Sequence, residues 1–295
     1  MEEGEIKDYK KAGKIAKSVV KYAKSIIKKD LPLLEIANKI EEKILELGGK
    51  PAFPANLSIN EIAAHYTPDP NDTTLASGLL KVDIGVQVNG CVADTAFSVD
   101  LENSEENKKL IQAAEEALKK ALETAKINTK LKEIGLAVEE IIKSFGFHPI
   151  QNLSGHSLDQ YTIHAGITIP NVDNSSEKQL EEGAYAIEPF STTGLGSVKD
   201  GKPSEIYRLE SEGNVRDPFA REVLNFIKKE YQTLPFCSRW LHKKFGSRSI
   251  LALRRIKDAG LLHQYPQLIE KGGGKVAQAE HTILLTAKEK IITTL

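Results

Sequence analysis

Cysteine, methionine and tryptophan are nearly missing: 295 residues hold two Cys, one Met and one Trp. Cys91 and Cys237 give neither a disulfide framework nor the CxxC spacing of a structural zinc site. No apolar run is long enough to span a bilayer, and the charged opening MEEGEIKDYKKAGKIAKSVV has no signal-like apolar core. A cytoplasmic protein is the expectation. There is no GxSxG elbow and no GxxxxGK[ST] phosphate loop, and GGGK at 272–275 reads as a turn. No short-period repeat is visible. Scarce Met and Cys beside abundant Lys, Glu and Ile lean towards a thermophile.

What is present is ordinary in bulk and uneven in place. Hydrophobic content of 40% and charged content of 27% suit a globular chain, long enough for one large domain or a domain with an insertion. The net charge is only −1, yet residues 216–275 carry 13 Lys/Arg against 5 Asp/Glu, a balance of +8 that leaves −9 for the remainder. A basic module in an acidic body suggests a polyanionic partner.

Helical periodicity marks two helices within residues 5–47, the second ended by Gly48-Gly49. The Pro-rich KPAFPANLSINEIAAHYTP reads as irregular. A helix is expected from Asn103 with Glu106 through Leu122, and another from Thr129 to near Gly146. A short strand near Ile150 precedes NLSGHSLDQYTIHAG, and GAYAIEPFSTTG reads as one strand. Helices are expected over 217–231, 235–244 and 248–259, then closing strands around a glycine turn. Strands mixed with amphipathic helices, without regular alternation, indicate α+β.

One stretch, LKVDIGVQVNGCVADTAFSVDL at 80–101, carries an anomaly. Asn89-Gly90 between apolar runs signals a two-residue hairpin loop. That register sets Val88 opposite Cys91 and Gly85 opposite Asp94, so Asp83 and Asp94 share a face as diagonal neighbours. No Lys or Arg occurs between Lys81 and Lys108 to pair with them. Exposed edge positions, caps, a carboxyl pair sharing a proton, or a hard-cation site would each accommodate two such carboxylates.

Glu188 in YAIEPF and Glu280 in VAQAEHTILLT repeat the anomaly of an acid in an apolar strand. His156 in SGHS and His164 in IHAG lie in Gly-bounded, turn-like stretches; taken alone, each is more often a structural histidine than a ligand. Together, four such acids and these histidines ask for a common cation. Oxygen-rich coordination with one imidazole fits a two-metal site for Mn, Fe, Co or Zn. If Glu280 faces that site, its strand neighbour His281 faces away.

The ordered set NEIAAHYTP, VDIGVQVNGCVADTAFSV, NLSGHSLDQYTIHAG, AIEPF and AEHT resembles the type 2 methionine aminopeptidases in their archaeal-length form, across nearly the whole chain. The resemblance implies a pita-bread α+β fold holding two divalent metals (Co, Mn, Fe or Zn). Asp83 would chelate one metal, Asp94 and Glu280 would bridge both, and His156 and Glu188 would bind the second. His65 and His164 match the family's two catalytic, substrate-contacting histidines that are not ligands. Glu188 would also relay a proton. Phe53 and Ile163 match the methionine side-chain pocket, although ordinary core packing would also account for them.

By the same resemblance, 216–275 is the helical, winged-helix-like insertion of type 2, and 1–215 with 276–295 is the catalytic domain. The implied activity is hydrolytic removal of N-terminal methionine from nascent chains when the next residue is small. A monomer without membrane attachment is expected, with the basic insertion a possible ribosome contact. Two other readings use the same scaffold. Prolidases and aminopeptidases P normally carry an extra N-terminal domain and lack the insertion. Non-catalytic ribosome- or RNA-binding relatives lose metal ligands, whereas all five ligand positions are filled here.

Overall fold

The computed structural model describes all residues, Met1–Leu295. The chain opens with α1 (Glu3–Ile26) and α2 (Leu33–Glu46). Three short strands follow, β1 (Lys50–Pro51), β2 (Asn56–Ile59) and β3 (Ile62–Ala64), then the long hairpin β4 (Leu79–Val88) and β5 (Cys91–Asp100). A second helix pair, α3 (Glu105–Thr124) and α4 (Leu131–Ser144), leads to β6 (His148–Pro149), β7 (Ser154–Leu158), β8 (Thr168–Pro170), β9 (Gly183–Ile187), β10 (Phe190–Thr192) and β11 (Val198–Leu209). The basic stretch supplies α5 (Pro218–Glu230), β12 (Phe236–Cys237), α6 (Ser238–Phe245), α7 (Arg248–Asp258) and β13 (Leu262–Glu270). The chain closes with β14 (Val276–Gln278), β15 (His281–Leu285) and β16 (Lys290–Ile292).

Each helix pair lies on an antiparallel sheet. Ala12, Ile15, Ala16, Val19 and Ala23 form the buried stripe of α1, and with α2 they cover β4 and β5. Leu110, Ala114, Leu118, Ile134 and Val138 do the same for α3 and α4 against β9 and β15. Helical spacing of these residues is what makes one face apolar enough to dock. The sheets run β1-β4-β2, with β5 on β4, and β16-β15-β9-β7-β8. They meet where Ala96 of β5 bridges Glu280, by Glu280 N–H to the Ala96 carbonyl at 3.0 Å. The floor of the central cavity lies at this join. A separate core, with Val223, Leu224, Leu241, Leu253 and Ile256, holds α5, α6 and α7 together.

The hairpin follows its expected register: Val88 pairs with Cys91 and Gly85 with Asp94. Asn89 and Gly90 take φ of +51° and +86°, the left-handed pair that a two-residue turn of the favoured hand requires.

Several expectations are corrected. The Pro-rich stretch contains β1, β2 and β3; they are too short to show alternation and are separated by Pro54 and by Asn60 at φ +50°. GAYAIEPFSTTG is two strands in different sheets, β9 and β10, because Pro189 has no N–H to continue a ladder. SGHS is a strand, β7, not a turn. Ser104, not Asn103, caps α3, with its Oγ accepting from Asn107 N–H at 3.3 Å. Asn103 is the left-handed residue before it. Thr129 does not start α4; its hydroxyl is used in the preceding turn, with Lys126 N–H and the Thr124 carbonyl.

Candidate metal centre

The hairpin delivers the first two carboxylates. Asp83 pairs with Ala96 and Asp94 with Gly85, so both side chains leave one face of the β4–β5 ribbon. Gly85 beside them has no room for a side chain: a Cβ there would stand 2.3 Å from the Phe53 ring. The glycine therefore lets the aromatic ring pack against the strand next to the acids. Thr282 locks Asp94 from behind, donating to its carbonyl at 2.8 Å and accepting from its N–H at 2.7 Å.

The other donors come from the second half. His156 sits in β7 opposite Ala186 of β9, and Gly155 allows that approach, since a Cβ there would lie 2.3 Å from the Ala186 carbonyl. Glu188 sits at the break that Pro189 makes between β9 and β10, which frees it from both ladders. Glu280 is placed by its bridge to Ala96. Ligand atoms of Asp94, His156 and Glu280 all lie within 4.8 Å of one another. His156 Nε2 is 3.8 Å from Asp94 Oδ2 and 3.5 Å from Glu188 Oε1.

These groups suit a cation better than they suit each other. Asp83 Oδ1 and Asp94 Oδ1 are buried without a hydrogen-bond partner, and no Lys or Arg ion pair reaches the four acids. Lys81, two residues from Asp83, is buried and donates instead to the Asn60 carbonyl at 2.7 Å. Burial, then the charges of neighbouring carboxylates, holds Asp94, Glu188 and Glu280 well above the usual carboxylate range. Burial raises Asp83 to about 7. Burial also lowers His156 to about 3, which keeps its imidazole neutral and its lone pair available for a metal. Four acids and one neutral imidazole form a donor set for a hard or borderline divalent cation, and the class so defined is a metal-binding protein.

The remaining expected residues line the same cavity, of roughly 360 Å³: His65, His164, Phe53 and Ile163. His164 stands at the exposed rim, its ring edge-on to His156 with centroids 4.5 Å apart. His65 adopts a left-handed φ of +66° and places Nδ1 3.1 Å from the Pro266 carbonyl of β13. Burial lowers it to about 4. A neutral ring donating from Nδ1 keeps Nε2 as an acceptor. His281 faces away from the acids, onto Thr294 at 2.8 Å.

Three cavity residues carry no signal in the sequence. Gln278 reaches Glu188 Oε2 at 3.4 Å and Glu280 Oε2 at 3.5 Å. Asn56, opposite Asp83, is buried with Oδ1 unpartnered. Tyr265 packs its ring edge against His65, centroids 5.3 Å apart. Amides and a tyrosine are unremarkable in a strand, so only the pairing of strands exposes them.

The model of metallopeptidase family M24 matches residues 7–287. The methionine aminopeptidase of Pyrococcus abyssi is 48% identical over 288 residues, covering 96% of this chain and 97% of the relative. Methionine aminopeptidase 2 of Schizosaccharomyces pombe is 36% identical over 304 residues, covering 96% of this chain and 71% of the relative. The chain therefore belongs to metallopeptidase family M24, on its methionine aminopeptidase branch and in the archaeal-length form of type 2. Among solved structures, a thermophilic Arx1 superposes with a TM-score of 0.83 at 15% identity, over 99% of this chain and 91% of that one. A methionine aminopeptidase from Thermotoga maritima gives 0.71 at 22% identity, over 100% and 98%. At such identities they speak for the fold alone, the pita-bread α+β arrangement. Divalent metal use goes with the family and with the donor set.

Proposed function

We propose that this protein hydrolyses N-terminal methionine from nascent proteins and peptides whose next residue is small. The observation that carries this reading is one cavity lined by groups of different chemistry: four carboxylates and an imidazole beside the apolar Phe53 and Ile163. An unbranched thioether suits that apolar pair, with sulfur–aromatic contact to Phe53.

In this reading Asp83 would hold one metal, Asp94 and Glu280 would serve both, and His156 and Glu188 would hold the second. When bound, the metals polarise the scissile carbonyl and lower the pKa of a coordinated water. His65, an acceptor at Nε2, takes the scissile amide N–H and aligns the leaving nitrogen. His164 at the rim donates to the carbonyl oxygen as negative charge develops there. Glu188 carries a proton from the attacking water to the leaving amine. Which metals serve depends on supply as much as on affinity.

The test is metal-depleted protein with Mn, Fe, Co or Zn restored singly. Met-Ala-Ser should be cleaved and Met-Leu-Ser spared. Turnover of Ala-Pro in preference to Met-Ala would instead support a prolidase-like activity. Restored metal without turnover of any peptide would support the non-catalytic reading.

We assign residues 1–215 and 276–295 to a catalytic domain and 216–275 to an insertion, in a monomer working in the cytoplasm. No helix is long and apolar enough to cross a membrane. The insertion's charge suggests docking to ribosomal phosphate, with Lys243, Lys244, Arg248, Arg254 and Arg255 of α6 and α7 as contacts. Lys243 pairs with Glu42 at 3.2 Å and Arg255 with Asp217, but exposed pairs are weak enough for phosphate to displace. Replacing all five with Gln should leave tripeptide turnover unchanged and abolish salt-sensitive co-sedimentation with ribosomes. Sedimentation like that of the unaltered protein would reduce the charge to a solvated surface.

A further inference from the structure

The helical insertion is joined to the catalytic body by a buried ion pair. Arg239, the second residue of α6, is 5% exposed, and Glu41 of α2 is 6% exposed. The guanidinium Nη1 and Nη2 donate to Glu41 Oε2 and Oε1 at 2.5 Å and 3.0 Å. All five guanidinium N–H groups are used. The others reach Asn38 Oδ1, Thr67 Oγ1 and the Pro68 carbonyl, each at 3.2 Å. Glu41 is equally engaged, accepting from Trp240 Nε1 at 2.7 Å and Ala55 N–H at 3.2 Å.

The places these bonds end matter more than their number. Thr67 and Pro68 lie two and three residues beyond His65, which is held in the left-handed region at φ +66°. Ala55 lies two residues beyond Phe53. One ion pair thus tethers both the loop that presents His65 and the segment that presents the pocket ring. A non-glycine residue in that backbone region persists only where its surroundings over-determine it. The fork geometry of Arg, which Lys does not reproduce, lets one side chain hold Glu41, Thr67 and Pro68 together.

We propose that Glu41 and Arg239 are positioning residues: through them the insertion sets His65 and Phe53 against the metal floor. This inference rests on the proposed catalytic role of His65. An ion pair that merely glued the insertion on would be replaceable by an apolar pair of similar volume, which is often neutral or stabilising. A positioning pair would not be, because the apolar pair keeps the packing and loses the bonds to Ala55, Thr67 and Pro68.

The test compares Glu41→Leu/Arg239→Met, Thr67→Val and His65→Ala with the unaltered, metal-loaded protein. The double variant should fold and bind metal with unchanged stoichiometry, while kcat on Met-Ala-Ser falls about 10- to 100-fold, the scale of a small misplacement. Thr67→Val, which leaves the ion pair intact, should lower kcat by less. In the His65→Ala background the double substitution should cost far less than it does alone. Ring signals of His65 in ¹H–¹³C spectra should shift in the double variant, and those of the distant His281 should not. A folded double variant with unaltered kcat and an unmoved His65 signal overturns the inference. Full turnover by His65→Ala would overturn the functional reading beneath it, a different result. Should the double variant fail to fold, Thr67→Val decides by the same kcat and His65 readouts.

Discussion

Glu280→Gln and Asp94→Asn should each fold and yet lose tight metal binding. Both carboxylates lie in the group whose ligand atoms are within 4.8 Å of one another, and each is assigned to both metals. Losing an outer partner of a ligand costs about 10- to 100-fold in affinity, so losing a shared ligand's charge should cost more. Turnover should fall by about 10³-fold, since Lewis-acid stabilisation supplies several kcal/mol and each decade is about 1.4 kcal/mol. Asp83→Asn should weaken one site more than the other. The decisive measurement is calorimetric metal titration of each variant. Unchanged stoichiometry and affinity in Glu280→Gln would remove it from the bridging position.

The hairpin was readable from the sequence because its physics is local. Asn89-Gly90 fixes the loop length, loop length fixes register, and register puts Asp83 and Asp94 on one face. Which partner faces them is a tertiary fact. His156 reaches Asp94 only because β7 pairs with β9 over Gly155, in a sheet assembled from residues 154–292. Acids recurring in apolar strands asked for a common cation, and the resemblance to a known family, not spacing, supplied each ligand's role. The strand expected through GAYAIEPFSTTG shows the limit in another form. Its composition is strand-like throughout, and a single missing N–H at Pro189 divides it between two sheets. That break is what frees Glu188 to face the cavity.

Gln278, Asn56 and the Glu41–Arg239 pair were not legible. A glutamate on a charged helix and an arginine in SRWLHKKF look like surface residues, as such residues usually are. Their burial follows from the docking of α6 against α2, 198 residues earlier in the chain. The reading of 216–275 as a basic module likewise missed what β13 does. That strand pairs with β3 and β11, and its Pro266 carbonyl holds His65. Pro235, Tyr265 and Leu268 of the 216–275 stretch therefore form part of the cavity wall.

The four carboxyls should make the metal-free protein less stable as pH rises from about 4 to about 7, against an opposite contribution from His65, His156 and His281, whose lowered values favour the folded state as pH rises through about 4 to 6.5. The sign follows from the direction of the shifts. Asp83 is raised from 3.8 to about 7, and Asp94, Glu188 and Glu280 are raised well above their ordinary values, first of all by burial. A carboxyl raised in the folded state binds its proton more tightly there than in the unfolded chain. The folded state then holds more protons across the window between the two values, and stability drops as those protons leave. For Asp83 alone the shift corresponds to at most about 4 kcal/mol. Divalent metal substitutes for the protons, so the loaded protein should lose this slope and release protons on binding. Urea midpoints of EDTA-treated protein at pH 5, 6 and 7, with and without Mn(II), measure the slope. Calorimetry at pH 6.5 in two buffers of different ionisation heat counts the protons. The gap between the midpoints with and without Mn(II) should widen from pH 5 to pH 7 as metal ceases to compete with carboxyl protons; a constant gap with no proton release would mean that the four carboxylates do not share one uncompensated site.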